Sequence, residues 1–236
     1  MRILIFGGTS EGRLRAQAET EAGNSVLVSV ATPTGQAELP EGIDCAVGRL
    51  EAEDMVNLAR SFGAERLIDA THPFAQAASA NIAQAAKLLG LPLETVRRAS
   101  DEGADFASQV TWAASHREAI ERLKRMEGRV LLTTGSSALR EYARALSRER
   151  LFVRVLPVPE ALAECAAAGI PAAHICAMQG PFTEEMNQAL YRQWQISAMV
   201  TKDSGSAGGV REKVLPALRA GIDVLVIRRP SKGDGV

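Results

Sequence analysis

The sequence predicts an α/β protein whose helices cover both faces of parallel sheets. Three observations predict it. Apolar runs that read as buried strands, at residues 2–6, 25–30, 66–70, 129–134, 151–156, 172–177, 196–201 and 222–228, alternate with stretches of helical spacing. The first run, Ile3-Leu4-Ile5-Phe6, breaks into the glycine-rich turn Gly7-Gly8-Thr9-Ser10-Glu11-Gly12. A similar junction recurs near the C-terminus, from Lys202 to Gly209. A strand that ends in such a turn and restarts as a helix leaves N–H groups bare at the positive end of the helix dipole, which favours an anion. Two such junctions predict two half-sites facing a common cleft.

Composition narrows the function classes. The 236 residues suffice for one large or two modest domains, each with a sizeable core. A hydrophobic share of 46% and a charged share of 23% are those of an ordinary globular chain. The net charge of −1 supplies no global field for nucleic acid or membrane, so an anionic ligand must be held by local charge. Cys45, Cys165 and Cys176 are odd in number and far apart, which argues against a disulfide framework and a zinc site. Arg2 begins a strand with no apolar segment of signal type after it, and no run reaches membrane-spanning length. The expectation is a cytoplasmic protein with a small-molecule partner, monomeric or weakly homo-oligomeric, with no bound metal.

The elements follow in order. The turn after the first strand offers Gly7 and Gly12 to the G-x-G-x-x-G pattern, with Thr9 in place of the middle glycine. Against the P-loop, Arg13-Leu14 replaces Lys-Ser/Thr, which removes Mg-nucleotide hydrolysis. A modified dinucleotide loop or a plain strand-to-helix turn is left. The second strand runs into Ala31-Thr32-Pro33-Thr34 without the acid that binds a ribose 2′-hydroxyl, which leans towards NADPH with Arg13 nearby. Met55, Leu58, Ala59 and Phe62 form one helical stripe, and Ala75, Ala78, Ile82, Ala85, Ala86 and Leu89 another. Between them, Asp69-Ala70-Thr71-His72-Pro73-Phe74-Ala75 ends a strand and opens a helix, with Pro73 suited to the first helical turn. His72 there either donates a proton, binds a carboxylate, or caps the helix.

The segment Arg97-Arg98-Ala99-Ser100-Asp101-Glu102-Gly103 is polar and aperiodic and reads as an exposed connection. A new unit is expected to begin at Gly128, giving domains at 1–127 and 128–236. Thr133-Thr134-Gly135-Ser136 and Gln179-Gly180-Pro181-Phe182-Thr183 are further donor-rich strand ends. Glu184 and Glu185 suit the dipole of the helix that follows and read as capping residues. In the last junction, Lys202, Arg211 and Lys213 add charge beside Ser204, Gly205, Gly208 and Gly209, and a stripe of Val210, Val214, Ala217 and Leu218 follows. The closing Pro230 to Val236 reads as a frayed end.

In order and content, Ile3–Gly12, Asp69–Ala75 with Ser79-Ala80-Asn81, Gln179–Phe182 with Asn187, Lys202–Lys213 and Val226-Ile227-Arg228-Arg229-Pro230 resemble the precorrin-6A reductases, including the cobalt-precorrin-6A reductases of the anaerobic cobalamin pathway. The resemblance covers nearly the whole chain. Its most specific parts are Asp-Ala-Thr-His-Pro-Phe-Ala and Lys-Asp-Ser-Gly-x-x-Gly-Gly. It implies two Rossmann-like domains with parallel sheets and a cleft between them, and hydride transfer from NADPH or NADH to a ring double bond of a corrin precursor. By the same resemblance, Gly7, Gly8, Thr9, Ser10, Glu11, Gly12 and Arg13, with Thr71, His72 and Pro73, would hold the cofactor. Thr134, Gly135, Ser136, Gly180, Phe182, Lys202, Ser204, Gly205, Gly208, Gly209 and Lys213 would face the substrate, with His72 and Lys202 as catalytic candidates. One departure stands out: Arg97-Arg98-Ala99-Ser100 replaces an Arg-Pro-x-Trp-like segment.

Two rival classes remain. A short-chain dehydrogenase shares only the first loop and needs a Tyr-x-x-x-Lys pair, whereas Tyr142 is followed four on by Leu146 and Tyr191 by Gln195. A non-catalytic NAD(P)-sensing module would need the first loop but not the second glycine-rich junction.

Overall fold

The N-terminal apolar run forms strand β1 (Arg2–Phe6), buried beyond Arg2 because it lies at the centre of a five-stranded sheet. The computed structural model describes residues 1–96, 100–205 and 208–229; the expectations placed on Arg97-Arg98-Ala99, on Ser206-Ala207 and on Pro230 to Val236 lie outside the described residues. The first sheet adds β2 (Ser25–Val30), β3 (Asp44–Val47), β4 (Arg66–Asp69) and β5 (Leu93–Thr95), all parallel, in the order β3-β2-β1-β4-β5. Helices α1 (Ser10–Glu21), α2 (Pro33–Ala37), α3 (Ala52–Phe62) and α4 (Gln76–Leu89) connect the strands.

Strand alternation splits the core of this unit in two. Ile3 and Ile5 pack with Val26, Val28, Ile68 and Ala16 of α1. Leu4 and Phe6 pack with Met55 and Ala59 of α3 and Ile82 and Ala85 of α4, so both predicted helical stripes face the sheet. The chain winds outward from β1 to β3 and then crosses back to β4. The strand order therefore reverses between β1 and β4, where open α/β sheets hold their ligands.

The second sheet has the order β6-β11-β10-β7-β8-β9, again all parallel. Its strands are β6 (Thr111–Ala113), β7 (Arg129–Leu132), β8 (Leu151–Val155), β9 (Ile175–Ala177), β10 (Ile196–Lys202) and β11 (Asp223–Ile227). Its helices are α5 (His116–Leu123), α6 (Leu139–Ala145), α7 (Pro159–Ala167), α8 (Glu184–Trp194) and α9 (Val210–Arg219). On one face Leu131, Phe152, Met199, Val224 and Val226 pack against Tyr191 of α8 and Val210, Val214 and Ala217 of α9. The order of this sheet reverses between β7 and β10.

The compact units are Met1–Arg98 and Ala99–Val236, so the second begins well before Gly128. The cause is β6, which pairs with β11 and carries the segment ahead of β7 into the second sheet. The segment expected to be a plain exposed connection is likewise tied down from Ser100 onward, as described below. The strands that the apolar runs did not mark are β3, β5 and β6, and each lies at a sheet edge. Edge strands are short and half-polar because one side meets water. The run expected over 172–177 divides into a 3₁₀ turn at Ala172–His174 and the edge strand β9.

Candidate functional site

In the first unit, Gly7 sits at φ 136°, and a Cβ added there would overlap the carbonyl of Ala70. Only glycine lets the end of β1 approach the end of β4 so closely. Thr9, in the place of the middle glycine, is the N-cap of α1. Its Oγ1 accepts from the Gly12 N–H at 3.1 Å and donates to the Ala70 carbonyl at 2.8 Å, which pins the turn to β4. The N–H groups of Gly12 and Arg13 are thus taken, the latter by the Thr9 carbonyl at 3.0 Å. Those of Gly8, Thr9 and Ser10 carry no hydrogen bond among the described residues. Three bare donors at a helix N-terminus fit a pyrophosphate. The Arg13 guanidinium donates to the Gly8 carbonyl at 3.2 Å and pairs with Glu38, so it arrives at the turn with a carboxylate partner.

At the end of β4 the buried Asp69 accepts from the Thr71 N–H at 3.0 Å and the Thr71 hydroxyl at 2.6 Å, and Thr71 Oγ1 lies 3.1 Å from Ser79 Oγ. The Thr71 side chain is therefore structural. This turn also delays the helix. Helix α4 starts at Gln76 behind Ala75, and Pro73 lies ahead of it in a turn closed by the Ala75 N–H on the His72 carbonyl at 2.8 Å, not in the first helical turn. His72 does not cap α4: its Nδ1 accepts from the Phe74 N–H at 3.3 Å. In the neutral ring this leaves the proton on Nε2, the nitrogen able to donate.

In the second unit, β10 ends in a network of buried charge. Asp203 is 2% exposed and accepts from Ser100 Oγ at 2.7 Å, the Asp101 N–H at 2.9 Å and Arg229. Asp101 in turn accepts from the Gly205 N–H at 3.0 Å. Burial and the hydrogen bond with Asp203 push the Asp101 carboxyl up to about 6. A Cβ on Gly208 would overlap the buried Ser204 Oγ, so this glycine too is required by close approach. Ser204 and Gly205 are buried, which makes them the frame of the turn rather than its open face. Gly209 ends the turn as the left-handed N-cap of α9.

The neighbouring β7 is followed by Thr133, whose N–H and hydroxyl both donate to the Val200 carbonyl, at 2.9 and 3.0 Å. Thr134 is buried with its Oγ1 unpaired, Gly135 (φ 81°) opens to free space, and the Ser136 carbonyl accepts from the Leu139 N–H. Burial lowers the Lys202 ammonium. His116 at the start of α5 lies 3.0 Å from the Tyr142 hydroxyl, and burial, with the Lys202 charge second, pushes its ring down to about 4.

The largest surprise lies beneath α8 and α9. Arg154, on the same face of β8 as Phe152, is 8% exposed, and its guanidinium sits 3.9 Å above the Phe182 ring and 2.6 Å from Asn187 Oδ1. Asn187 is fixed by donating to the Thr183 and Glu212 carbonyls, both at 2.9 Å. Lys213 is 7% exposed, on the core-facing stripe with Val210, Val214 and Ala217. Sequence reasoning missed Arg154, Asp101 and His116. For Arg154 a signal existed, because a charge interrupts the apolar run Leu151-Phe152-Val153-Arg154-Val155. Glu184 and Glu185 lie in the first turn of α8, as the dipole reading expects, Glu184 also pairs with Arg219 at 2.6 Å, and Gly180 packs against the Phe182 ring.

Two parallel α/β units, each with donor-rich turns where its strand order reverses, form the scaffold of a nucleotide-dependent oxidoreductase. The family model for the precorrin-6x reductases CbiJ/CobK matches residues 2–236, and the chain belongs to that family. It is 37% identical to the cobalt-precorrin-6A reductase of Priestia megaterium, over 97% of this chain and 90% of that one. It is 36% identical to the cobalt-precorrin-6A reductase of Salmonella typhimurium, over 97% and 88%. A solved CobK precorrin-6A reductase superposes with a TM-score of 0.78 at 26% identity, covering 98% of this chain and 89% of the other. The protein is thus an oxidoreductase of cobalamin biosynthesis that reduces a carbon–carbon double bond of precorrin-6A type with a nicotinamide cofactor. The short-chain dehydrogenase reading fails on structure as well. Tyr142 and Tyr191 lie in the core, bonded to His116 and the Lys213 carbonyl, and burial raises both phenols. No helix among the described residues is long and apolar enough to cross a membrane.

Proposed function

We propose that the first unit holds the nicotinamide cofactor and the second holds the macrocycle, and that the substrate is cobalt-precorrin-6A with NADPH as preferred donor. Three bare N–H groups, on Gly8, Thr9 and Ser10, carry the cofactor half of this reading. They suit a pyrophosphate, and Gly7 and Gly12 leave the backbone open to it. Bound reduced nicotinamide supplies the hydride. The end of β2 has no carboxylate to select a ribose 2′-hydroxyl, and Thr32 with Arg13 offers donors for a 2′-phosphate.

For the substrate half, Thr134, Gly135, Ser136, Phe182, Lys202 and Lys213 gather donors and positive charge around the strand ends of the second sheet. The Lys202 ammonium, lowered by burial, is a proton source for the carbon beside the one that takes hydride. His72, with Nε2 able to donate, orients the cofactor or substrate from the first unit.

The test is anaerobic incubation with precorrin-6A, with and without cobalt, following nicotinamide absorbance with NADPH and then NADH. Oxidation with the cobalt form, at higher kcat/KM for NADPH, is the expected result. No oxidation with either macrocycle contradicts the reading. Loss of turnover in His72→Ala with cofactor Kd retained supports its orienting role, and wild-type kinetics in that variant reject it.

A further inference from the structure

Two carboxyl groups of the second unit, Asp101 and Asp203, are bonded to each other and share one guanidinium, that of Arg229. Asp203, just past β10, is fully supplied with donors. Its Oδ1 accepts from the Asp101 N–H at 2.9 Å and from Arg229 Nη2 at 3.2 Å, and its Oδ2 accepts from Ser100 Oγ at 2.7 Å and lies 3.2 Å from Arg229 Nε. That is the setting of an ionised carboxylate, which only accepts. Asp101 Oδ2 accepts from the Gly205 N–H at 3.0 Å, and the Asp101 carboxyl is also hydrogen-bonded to that of Asp203. Two carboxyl groups bond to each other only when one carries a proton, and the donors around Asp203 leave it no place for one. The proton therefore belongs to Asp101, whose hydroxyl donates to Asp203 while its carbonyl oxygen takes the Gly205 N–H. The groups facing Asp101 are Asp203, Arg229 from past the end of β11 and Lys213 from α9, and the adjacent Glu102 is paired with Arg228 at 2.7 Å.

We propose that Asp101 is a positioning residue for the reaction: it holds the one proton of this pair and, while it does, fastens the turn after β10, through the Gly205 N–H, in the form that takes the macrocycle. Loss of that proton replaces the bond between the carboxyl groups with repulsion. Asp101 then parts from Asp203 and takes its hold on Gly205 with it. Burial first, and then the hydrogen bond and charge of Asp203, raise Asp101 to about 6, so the turn is fastened below that value and loosened above it. The macrocycle half of this inference rests on the second unit being the substrate unit.

Asp101→Asn separates this role from a merely structural one. Its amide donates to Asp203 and accepts from Gly205 at every pH, as the protonated acid does. The ratio of the wild-type macrocycle KM to that of Asp101→Asn is therefore expected to rise by about tenfold from pH 5 to pH 8, as for loss of a hydrogen bond in a buried network. Taking the ratio cancels the titration of Lys213, which burial chiefly lowers to about 7 and which both proteins keep. Asp101→Ala loses both bonds and should show a raised macrocycle KM at every pH, with the cofactor Kd unchanged. A ratio that stays flat overturns the proposal. A ratio that rises in the cofactor Kd instead supports the positioning role and overturns the assignment of the second unit to the macrocycle.

A second measurement needs no ligand. Carbon NMR of the aspartate carboxyl groups is followed against pH in the wild-type protein, with Asp101→Asn identifying the Asp101 resonance. A midpoint near 6 for that resonance, with the Gly205 N–H resonance moving at the same midpoint, supports the proposal even in a protein that turns over no macrocycle. An ordinary carboxyl midpoint for Asp101, or a Gly205 resonance that ignores it, rejects it.

Discussion

The two glycine-rich junctions look alike in sequence and are built on different physics. At Gly7–Gly12 the turn is held by one neutral hydroxyl, Thr9 Oγ1, bonded to the Gly12 N–H and the Ala70 carbonyl. At Lys202–Gly209 it is held by buried charge, with Asp203 gathering Ser100, Asp101 and Arg229. The first junction spends its side chains on geometry and leaves N–H groups for a ligand. The second surrounds itself with ionisable groups shifted by burial, the Asp101 carboxyl upward and the Lys202 and Lys213 ammonium groups downward. A backbone cradle suits a fixed, doubly charged pyrophosphate. Dispersed cations suit a broad ligand fringed with carboxylates.

The contrast breaks first at Gly7. Gly7→Ala forces a Cβ into the Ala70 backbone at a φ that alanine rarely adopts, and neither atom can swing away. A loss of about 3 kcal/mol or more is expected, read as a lower urea midpoint, together with loss of nicotinamide-cofactor binding. Gly208→Ala meets a side chain instead, Ser204. The expected loss is about 1–3 kcal/mol by overpacking, partly restored in Gly208→Ala with Ser204→Gly. Equal losses at the two glycines, or no rescue, would erase the distinction between a backbone clash and a side-chain clash.

Thr9→Ala should cost about 1 kcal/mol as a lost cap, and Thr9→Ser should keep most of it. Denaturation midpoints of the pair check this. The smallest effect is the pH response of the charged junction. The Asp101 carboxyl is raised from 3.8 to about 6, so between those values the folded state binds more protons than the unfolded chain. Its contribution to stability is present below the lower value and is lost as pH rises through the upper one. Asp101→Asn should flatten that slope in urea midpoints taken from pH 4 to 7, and an unaltered slope would place the titration elsewhere.

Much of this was legible in the chain. Seven of the eight apolar runs, the two junctions and the stripes of α3, α4 and α9 correspond to observed elements, because central parallel strands are apolar throughout and amphipathic helices keep their period, whereas the run over 172–177 is part 3₁₀ turn and part edge strand. The edge strands β3, β5 and β6 were not legible, since water on one side relaxes the demand for apolar residues. The early start of the second unit was hidden with them, because only pairing between β6 and the distant β11 reveals it. Helix α4 was expected to begin with Pro73, yet the Asp69–Thr71 turn, a contact between side chain and backbone, moved its start to Gln76.

Local sequence alone determined the α/β class and the places where strands give way to donor-rich turns. These follow from periodicity and from glycines at fixed offsets, which act over a few residues. Tertiary structure alone decided the partners of charge: that Asp203 would meet Asp101 and Arg229, that Thr71 would be spent on Asp69, and that the buried Arg154 would be held by Asn187 and the Phe182 ring. The physical reason is range. Hydrophobic patterning is written in neighbouring residues, whereas the energy of a buried charge depends on groups brought to it from anywhere in the chain.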